Sequence, residues 1–516
     1  MGQVATHAKD VIVVGAGVAG LQAALRLREH GLRAVVLEAS HRVGGRLCSA
    51  TLGDSVIELG AECVHGPDHR NPIAACVAAL GLKTLQDDRE VLRARSSRDG
   101  TDLTPQVSEC LARYDEAAEA VEQLASMAPA EGDASVAAAL HAAGWRCANS
   151  IEAAVEWFRH DFEYAAPPAD TSLRHNIAEE FTRADFGDAE LLVRDPRGFD
   201  ALAKQFHARL LEGDGDGDGD GKGEAVPPPC SVLLGREVLA VDCSCAAGGV
   251  TVHARRCSAA DEAGDEEEPH EEEFTAAAVL VTVSVGVLQA GSIRFAPALP
   301  FELLRDVHAV RMAAYCKVFA QWRRPWWRTG RGSVTGELAE VAEVAEVAEV
   351  AEVVGGPCEP LELGEPHTLL VDDEPQASGA ATATRLLSRV DDAAAVLCLT
   401  CTGSDARAME ARSDEAAAVE LMRTVRAAFA AAHIPEACSV RVTRWGTDPH
   451  HRGAYSLLPP GALAACGFEA LQRPLCEGRV WFAGEATHER YSGYLQGAWL
   501  SGRETADRIA NLLKLS

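Results

Sequence analysis

Residues 11–20 read Val-Ile-Val-Val-Gly-Ala-Gly-Val-Ala-Gly, an apolar β-run that breaks into Gly15-x-Gly17-x-x-Gly20 and feeds a helical stretch, with Glu38 eighteen residues beyond the last glycine. Each glycine has its own physical reason. Gly15 permits the tight turn, Gly17 leaves room for a pyrophosphate against bare backbone, and Gly20 lets the helix pack closely on the strand. Free N–H groups at the helix N-terminus then face the phosphates. Glu38 ends a second strand, Ala34-Val35-Val36-Leu37-Glu38, where a carboxylate can accept hydrogen bonds from both hydroxyls of an adenosine ribose. Strand, turn, helix, strand and acid stand at workable spacing for a dinucleotide cradle.

Directly after Glu38 comes Ala39-Ser40-His41-Arg42-Val43-Gly44-Gly45-Arg46, a second glycine pair flanked by two arginines that can reach the same pyrophosphate. A nicotinamide enzyme has no need of it. The string resembles the second signature of the FAD-containing amine oxidase family and of its cousins, the carotenoid desaturases and protoporphyrinogen oxidases. That resemblance implies FAD held by Gly15, Gly17, Gly20, Glu38, Arg42, Gly44, Gly45 and Arg46, and further along the chain by Val238, Trp445, Gly484 and Glu485.

At 516 residues the chain can bury ample core in two or three domains. Its net charge of -29 is mostly local: residues 212–224 carry six acids against one lysine, 261–273 nine acids and 337–352 six, together -20 of the total. Such a balance argues against nucleic-acid binding, while a negative exterior favours the approach of a polycation. The segments 212–224, 261–273 and 337–354 read as low-complexity expansions in surface loops, tolerated because loop closure costs grow slowly with length. Asp214, Asp216 and Asp218 hint at a calcium loop, but its twelfth position is Ala225 where a bidentate glutamate belongs. No metal is expected.

The first strand begins at Val11, leaving no room for a secretory signal, so the sixteen cysteines are expected to be reduced. Cys398 and Cys401 lie three apart in a strand-like run and point to opposite faces. No apolar run reaches the roughly 18 residues of a membrane span; Ala276 to Leu288 is the nearest and reads as strand. The final Lys514-Leu515-Ser516 carries the letters of a peroxisomal address in the wrong order. A cytoplasmic monomer is expected, with the peroxisome as the alternative compartment.

The middle of the chain narrows the resemblance. Glu156-Trp157-Phe158 leads into Asp161-Phe162-Glu163-Tyr164-Ala165 and Pro167-Pro168-Ala169-Asp170, a segment similar to that of polyamine oxidases, the plant type above all. There the carboxylate matching Glu163 lines the tunnel for an extended diamine. In Arg311 to Trp322, strand alternation puts Tyr315, Lys317 and Phe319 on one face, and a lysine between two aromatics is poorly placed for solvent. The resemblance assigns Lys317 to hold a water at the flavin N5.

Arg444-Trp445-Gly446, Arg452-Gly453-Ala454-Tyr455-Ser456, Trp481 to Thr487 and Tyr491 to Ala498 follow in the family's order. They imply that Gly484 and Glu485 reach the flavin ribityl and phosphate, and that Tyr455 and Tyr494 sandwich the substrate amine. Monoamine oxidases attach flavin through a cysteine where this chain has Ala454, so non-covalent FAD is expected. Near the flavin the chain departs from the plant pattern: in Leu59-Gly60-Ala61-Glu62-Cys63-Val64-His65-Gly66, position 63 is usually tryptophan and 65 glutamate. His65 instead matches animal spermine and acetylpolyamine oxidases, and Glu62 is a candidate for the missing carboxylate.

Together these features imply an FAD-dependent oxidase of spermine, spermidine or their acetylated forms, with hydride transfer from the carbon beside a secondary amine to flavin N5 and oxygen as final acceptor. The products are an aldehyde, a shorter amine and hydrogen peroxide. Alternatives are a monoamine or methyl-lysine oxidase, a desaturase-like oxidase, and a flavin-binding scaffold without catalysis. Ten residues ahead of the first strand leave no room for the chromatin-binding domain of histone demethylases. The expected architecture is α/β, with a Rossmann-like FAD-binding domain of discontinuous segments, 1–73, 192–293 and 441–516. An α+β substrate-binding domain takes 74–191 and 294–440, and the cleft lies at their interface.

Overall fold

A computed structural model describes residues 9–87, 92–127, 133–175, 182, 184–212, 230–244, 248–257, 270–328, 367–372, 384–430, 434–462 and 468–515. The stretches 213–224, 261–269 and 337–354 lie outside these. Glu271, Glu272 and Glu273, expected in an acidic loop, instead open the strand Glu271–Val281, where they pair with Arg255, Ala254 and His253 of the strand Val250–Arg256.

Among the described residues, eight strands form the larger sheet. Its parallel core runs in the order Val480–Phe482, Glu271–Val281, Lys9–Val14, Ala34–Leu37, Ser231–Leu233. Glu271–Val281 is long enough to serve two neighbourhoods. Its second half pairs in parallel with Lys9–Val14, and its first half joins Val250–Arg256 and Arg236–Asp242 in an antiparallel meander. The opening strand is apolar at every position from Val11 to Val14 because both its faces are covered. Val11 and Val13 pack beneath the helix Val18–Glu29 and the helix Ala201–Leu211. Ile12 and Val14 pack on the other side with Val238, Val241 and the helix Val285–Gln289.

That last helix corrects the reading of Ala276 to Leu288 as continuous strand. The strand stops at Val281, and Ser284 then caps the helix by accepting a hydrogen bond from the Val287 N–H.

Six more strands, in the order Ser439–Val442, Tyr315–Gln321, Val396–Thr402, Arg385–Asp391, His367–Val371, Leu92–Ser96, form a second sheet, mostly antiparallel. Its two faces are buried under different helices. Leu370 and Leu399 pack against Gly403–Glu410 and Asp414–Ala428, while Leu369 and Val371 pack against Thr104–Met127 and Val136–Ala142. Cys398 and Cys401 fall in separate apolar clusters, as alternation requires. No helix among the described residues is long and apolar enough to cross a membrane.

The C-terminal helix spans Leu495–Leu515. Gly497 and Gly502 are inside it for reasons of approach, not as boundaries. A Cβ on Gly497 would stand 2.0 Å from the Tyr491 carbonyl oxygen, and one on Gly502 would stand 2.2 Å from that of Ala19. Here the last helix touches the first at backbone distance. Gly502→Ala is therefore expected to destabilise the protein by about 1–3 kcal/mol through overpacking. Alanine is intrinsically the better helix former by ~1 kcal/mol, so an unchanged or raised urea midpoint of the flavin-loaded protein would contradict this.

Candidate active site

The glycine turn sits where the parallel strands end. Gly15 adopts φ +103°, and the Thr282 hydroxyl donates to the Val14 and Gly15 carbonyls at 2.8 and 3.3 Å, tying the turn to the neighbouring strand. A Cβ on Gly20 would lie 2.0 Å from the Gly15 oxygen, which is the close helix–strand contact expected of it. Gly17 caps the helix Val18–Glu29 without any side-chain hydrogen bond, and a Cβ there would meet no protein atom within 4 Å. Glycine at 17 thus keeps open the space before an uncapped helix N-terminus. A diphosphate fits that cradle.

The second glycine pair closes on the first. Gly44 donates its N–H to the Ala16 carbonyl at 2.8 Å, and a Cβ on Gly45 would touch the Gly17 Cα at 3.3 Å. Glu38 accepts the Ala16 N–H at 2.7 Å on one oxygen and the Ser40 N–H and hydroxyl on the other. It therefore shapes the glycine loop from its place in the cavity wall.

One cavity of about 380 Å³ runs from this cradle into the rest of the molecule. Its wall includes Gly15, Gly17, Glu38, Gly44, Gly45, Arg46, Val238, Trp445, Gly484 and Glu485, and also Lys317, His65, Glu163, Tyr455 and Tyr494. Two expected cofactor residues are not in that wall. Gly20 acts through packing, and Arg42 directs its guanidinium to the Val43 carbonyl at 3.4 Å. Arg46 pairs with Glu485 at 2.7 Å and donates to the Ala454 carbonyl at 3.1 Å. Glu485 in turn accepts the Gly493 N–H at 2.9 Å and the Ser456 hydroxyl, so three separate loops meet on one buried carboxylate.

Lys317 projects from the strand Tyr315–Gln321 and is 5% exposed. Its Nζ donates to the Glu58 carbonyl at 3.1 Å and the Gly60 carbonyl at 3.0 Å, and pairs with Glu62 Oε1 at 2.9 Å. These acceptors match the three protons of an ammonium. A water could be held only by sharing or displacing one of them, a constraint the sequence did not reveal. Glu62 also meets Arg194 at 3.4 Å. Burial pushes the Glu58 carboxyl up to about 7.

Glu163 gathers the two tyrosines of the cavity wall. The Tyr455 hydroxyl donates to its backbone carbonyl at 2.6 Å, and the Tyr494 hydroxyl donates to its carboxylate at 3.3 Å. Burial, with the Glu163 charge nearby, holds the Tyr455 phenol well above its ordinary pKa, so it remains a donor. The His65 ring meets the Tyr494 ring edge-on at 4.9 Å, and its Nδ1 stands 3.1 Å from Glu190. Glu190 was not anticipated. It arrives by strand register, opposite His65 in the ladder.

Glu163 reaches its place through a break in helical geometry. Ser150–Glu156 is α-helical, Trp157–Asp161 widens into a π-helical turn, and Ala165 then takes φ +51°. The Trp157 indole N–H donating to Thr402 at 2.8 Å and the His160–Thr171 contact at 2.8 Å anchor the widened turn. Such π-bulges rotate a helix face by an extra residue and recur at functional sites.

Residues 18–510 match the family model described as flavin containing amine oxidoreductase. The chain is 30% identical to polyamine oxidase 1 of Zea mays over 518 residues, 98% of this chain and 91% of that protein. With the peroxisomal N(1)-acetyl-spermine/spermidine oxidase of Homo sapiens it shares 25% identity over 97% and 95% of the two chains. A solved structure of a putrescine oxidase double mutant, redesigned in cofactor binding, has the same fold, with a TM-score of 0.65 at 21% identity and coverage of 98% and 99%.

Burial, and then the charge of Glu156, pushes the Asp161 carboxyl from 3.8 up to about 8. Between those values the folded chain keeps a proton that the unfolded chain gives up, so stability falls as pH rises through that window. Asp161→Asn, neutral at every pH, is expected to recover roughly 1–3 kcal/mol at pH values above the window. Thermal unfolding of both proteins at acidic and alkaline pH checks the sign; a gain confined to acidic pH would contradict it.

Proposed function

Because this chain belongs to the family of flavin containing amine oxidoreductases, and is thus an FAD-dependent amine oxidase, we propose that its substrates are polyamines: spermine, spermidine or their acetylated forms. The observation that carries this reading is the continuity of one cavity from the glycine cradle to Lys317 and on to Glu163, Tyr455, Tyr494 and His65. A long cation with several nitrogens suits a wall that carries the Glu163 carboxylate, two tyrosine rings and the His65 imidazole. FAD rests without a covalent bond, since Ala454 offers no nucleophile. The segments 1–73, 192–293 and 441–516 supply its domain, and 74–191 with 294–440 supply the substrate-binding domain.

The bound flavin supplies the two-electron sink; the residues supply position and charge. The reacting nitrogen must be neutral, because its lone pair supports the iminium character that develops at the carbon. Tyr455 and Tyr494 attract the nitrogen through ring electron density and restrict which carbon is presented. The Glu163 carboxylate draws a remote ammonium to the outer end. With Glu190 holding the proton at Nδ1, His65 keeps Nε2 as an acceptor. Lys317, fixed by the Glu58 and Gly60 carbonyls, presents a positive charge that needs no reorganisation.

Incubation of the flavin-loaded protein with spermine, spermidine and their acetylated forms should release peroxide together with a shorter amine identified by mass. Oxidation of simple monoamines alone would overturn the polyamine reading, and unbleached flavin under anaerobic spermine would favour the scaffold. Below the substrate amine's pKa, kcat/KM should rise roughly tenfold per pH unit as one proton leaves the reacting nitrogen.

Glu62→Gln removes the charge from the Lys317 contact while leaving both carbonyl acceptors. A charged hydrogen bond contributes about 1.5–3 kcal/mol, so the variant should keep its flavin but lose tenfold or more in the rate of flavin reduction. Stopped-flow reduction at saturating substrate measures this. A loss confined to KM would assign Glu62 to substrate attraction instead.

A further inference from the structure

The ladder formed by Cys63–His65 and Glu190–Val193 joins the His65 ring to a thiol and a carboxylate, a donor set that amine oxidation does not call on as a whole. In its antiparallel register Cys63 lies opposite Leu192 and His65 opposite Glu190. Alternation therefore sets Cys63, His65 and Glu190 on one side of the ladder, while Val64, 1% exposed, is buried on the other. The ligand atoms of these three side chains lie within 4.8 Å of one another. Cys63 Sγ stands 3.8 Å from one Glu190 oxygen, and His65 Nδ1 stands 3.1 Å from the other. Cys63 and His65 both belong to the cavity wall.

A thiol, an imidazole and a carboxylate form the donor set of a borderline ion. Calcium and magnesium call for oxygens, whereas zinc accepts sulfur at ~2.3 Å and nitrogen or oxygen at ~2.0–2.2 Å. Around a tetrahedral ion those bond lengths set the donors roughly 3.3–3.8 Å apart. The two contacts, made to different oxygens of Glu190, are near that span, and with every ligand atom within 4.8 Å of the others no pair has more than about 1.5 Å to close, within the reach of side-chain rotation.

We propose that Cys63, His65 and Glu190 bind one Zn2+ ion, with the fourth coordination position open to the cavity, and that the bound ion inhibits amine oxidation. Binding forms one bond each to Sγ, the imidazole nitrogen and a carboxylate oxygen. The thiol proton leaves to solvent, the imidazole binds as the neutral ring with its proton passing from Nδ1 to Nε2, and no electron moves. Affinity therefore falls as the solution becomes acidic. Inhibition follows from two effects. The metal takes the imidazole whose ring abuts Tyr494, and the thiolate and carboxylate neutralise the bound ion, so the cluster loses the negative charge that Glu190 would offer a polycation.

Zinc binding goes beyond the polyamine reading and does not require it; only its inhibitory consequence rests on that reading. Calorimetric titration of the flavin-loaded protein with zinc chloride should give one ion per chain. Cys63→Ser and Glu190→Gln should each weaken binding at least ~10-fold, since loss of an outer-shell partner alone costs 10–100-fold. Cobalt(II) in place of zinc should give a thiolate charge-transfer band in the difference spectrum, lost in Cys63→Ser. Peroxide production from spermine should fall with site occupancy and return on addition of a chelator.

Absence of stoichiometric binding, or equal affinity in Cys63→Ser and the parent, overturns the site. Full binding with undiminished amine oxidation overturns the inhibition. A protein inactive toward every polyamine would still report zinc by calorimetry, so failure of the substrate reading and failure of this one remain distinct.

Discussion

The active cavity depends on backbone meeting backbone without side chains between. A Cβ on Gly20 would stand 2.0 Å from the Gly15 oxygen, one on Gly44 2.5 Å from the Leu47 oxygen, and one on Gly60 1.8 Å from the Arg46 oxygen. These contacts link in series. The helix seats on the first strand, the second glycine pair seats on the helix start, and Arg46 then seats the segment from Glu58 to Glu62. Ala61 donates to the Arg46 carbonyl at 3.1 Å, and the Trp445 indole donates to that of Leu59 at 3.0 Å. Only with that segment so fixed do the Glu58 and Gly60 carbonyls stand where Lys317 can reach both. The nucleotide cradle and the lysine of the second sheet are therefore coupled through peptide groups, which have few ways to move.

Charge is handled with the same economy of position. Lys317 and Arg194 share Glu62, and Arg46 shares Glu485 with the Gly493 N–H and the Ser456 hydroxyl. Buried ion pairs of this kind are poor sources of stability, because desolvation offsets much of the attraction. What they fix is geometry. Each joins segments distant in sequence, so an error in any one loop would leave a charge without its partner. Glu58, whose carboxyl accepts from Ser49 and Phe199 while its carbonyl accepts from Lys317, ties a third loop into the same arrangement.

What could be read from the chain was what is local in it. The strand, glycine turn and acid of residues 11–38 are one continuous piece, and glycines there answer to a single geometry. Lys317 between two aromatics declares its burial by period-two alternation. Contacts made by register are silent in the sequence. Glu190 sits 125 positions from His65 and only strand pairing brings them together. The widened turn at Trp157–Asp161 left no mark either, because its residues are ordinary helix formers and the distortion is imposed by anchors at Thr402 and Thr171. Gly502 is ambiguous in the sequence for a related reason. Glycine signals both a helix end and a close approach, and only the neighbour at Ala19 decides between them.

The departure at positions 63 and 65 becomes coherent once the ladder is considered as a unit. Where the plant pattern has a carboxylate at 65, this chain has an imidazole backed by Glu190 at 3.1 Å. Negative charge has not left the site; it has moved one ring further from the cavity, behind His65. A carboxylate in direct contact would hold an ammonium and so favour the protonated amine. Here a ring backed by Glu190, and not a carboxylate, stands in the cavity wall. The small thiol at 63 leaves room on that face of the ladder for the Glu190 carboxylate to reach both Cys63 and His65.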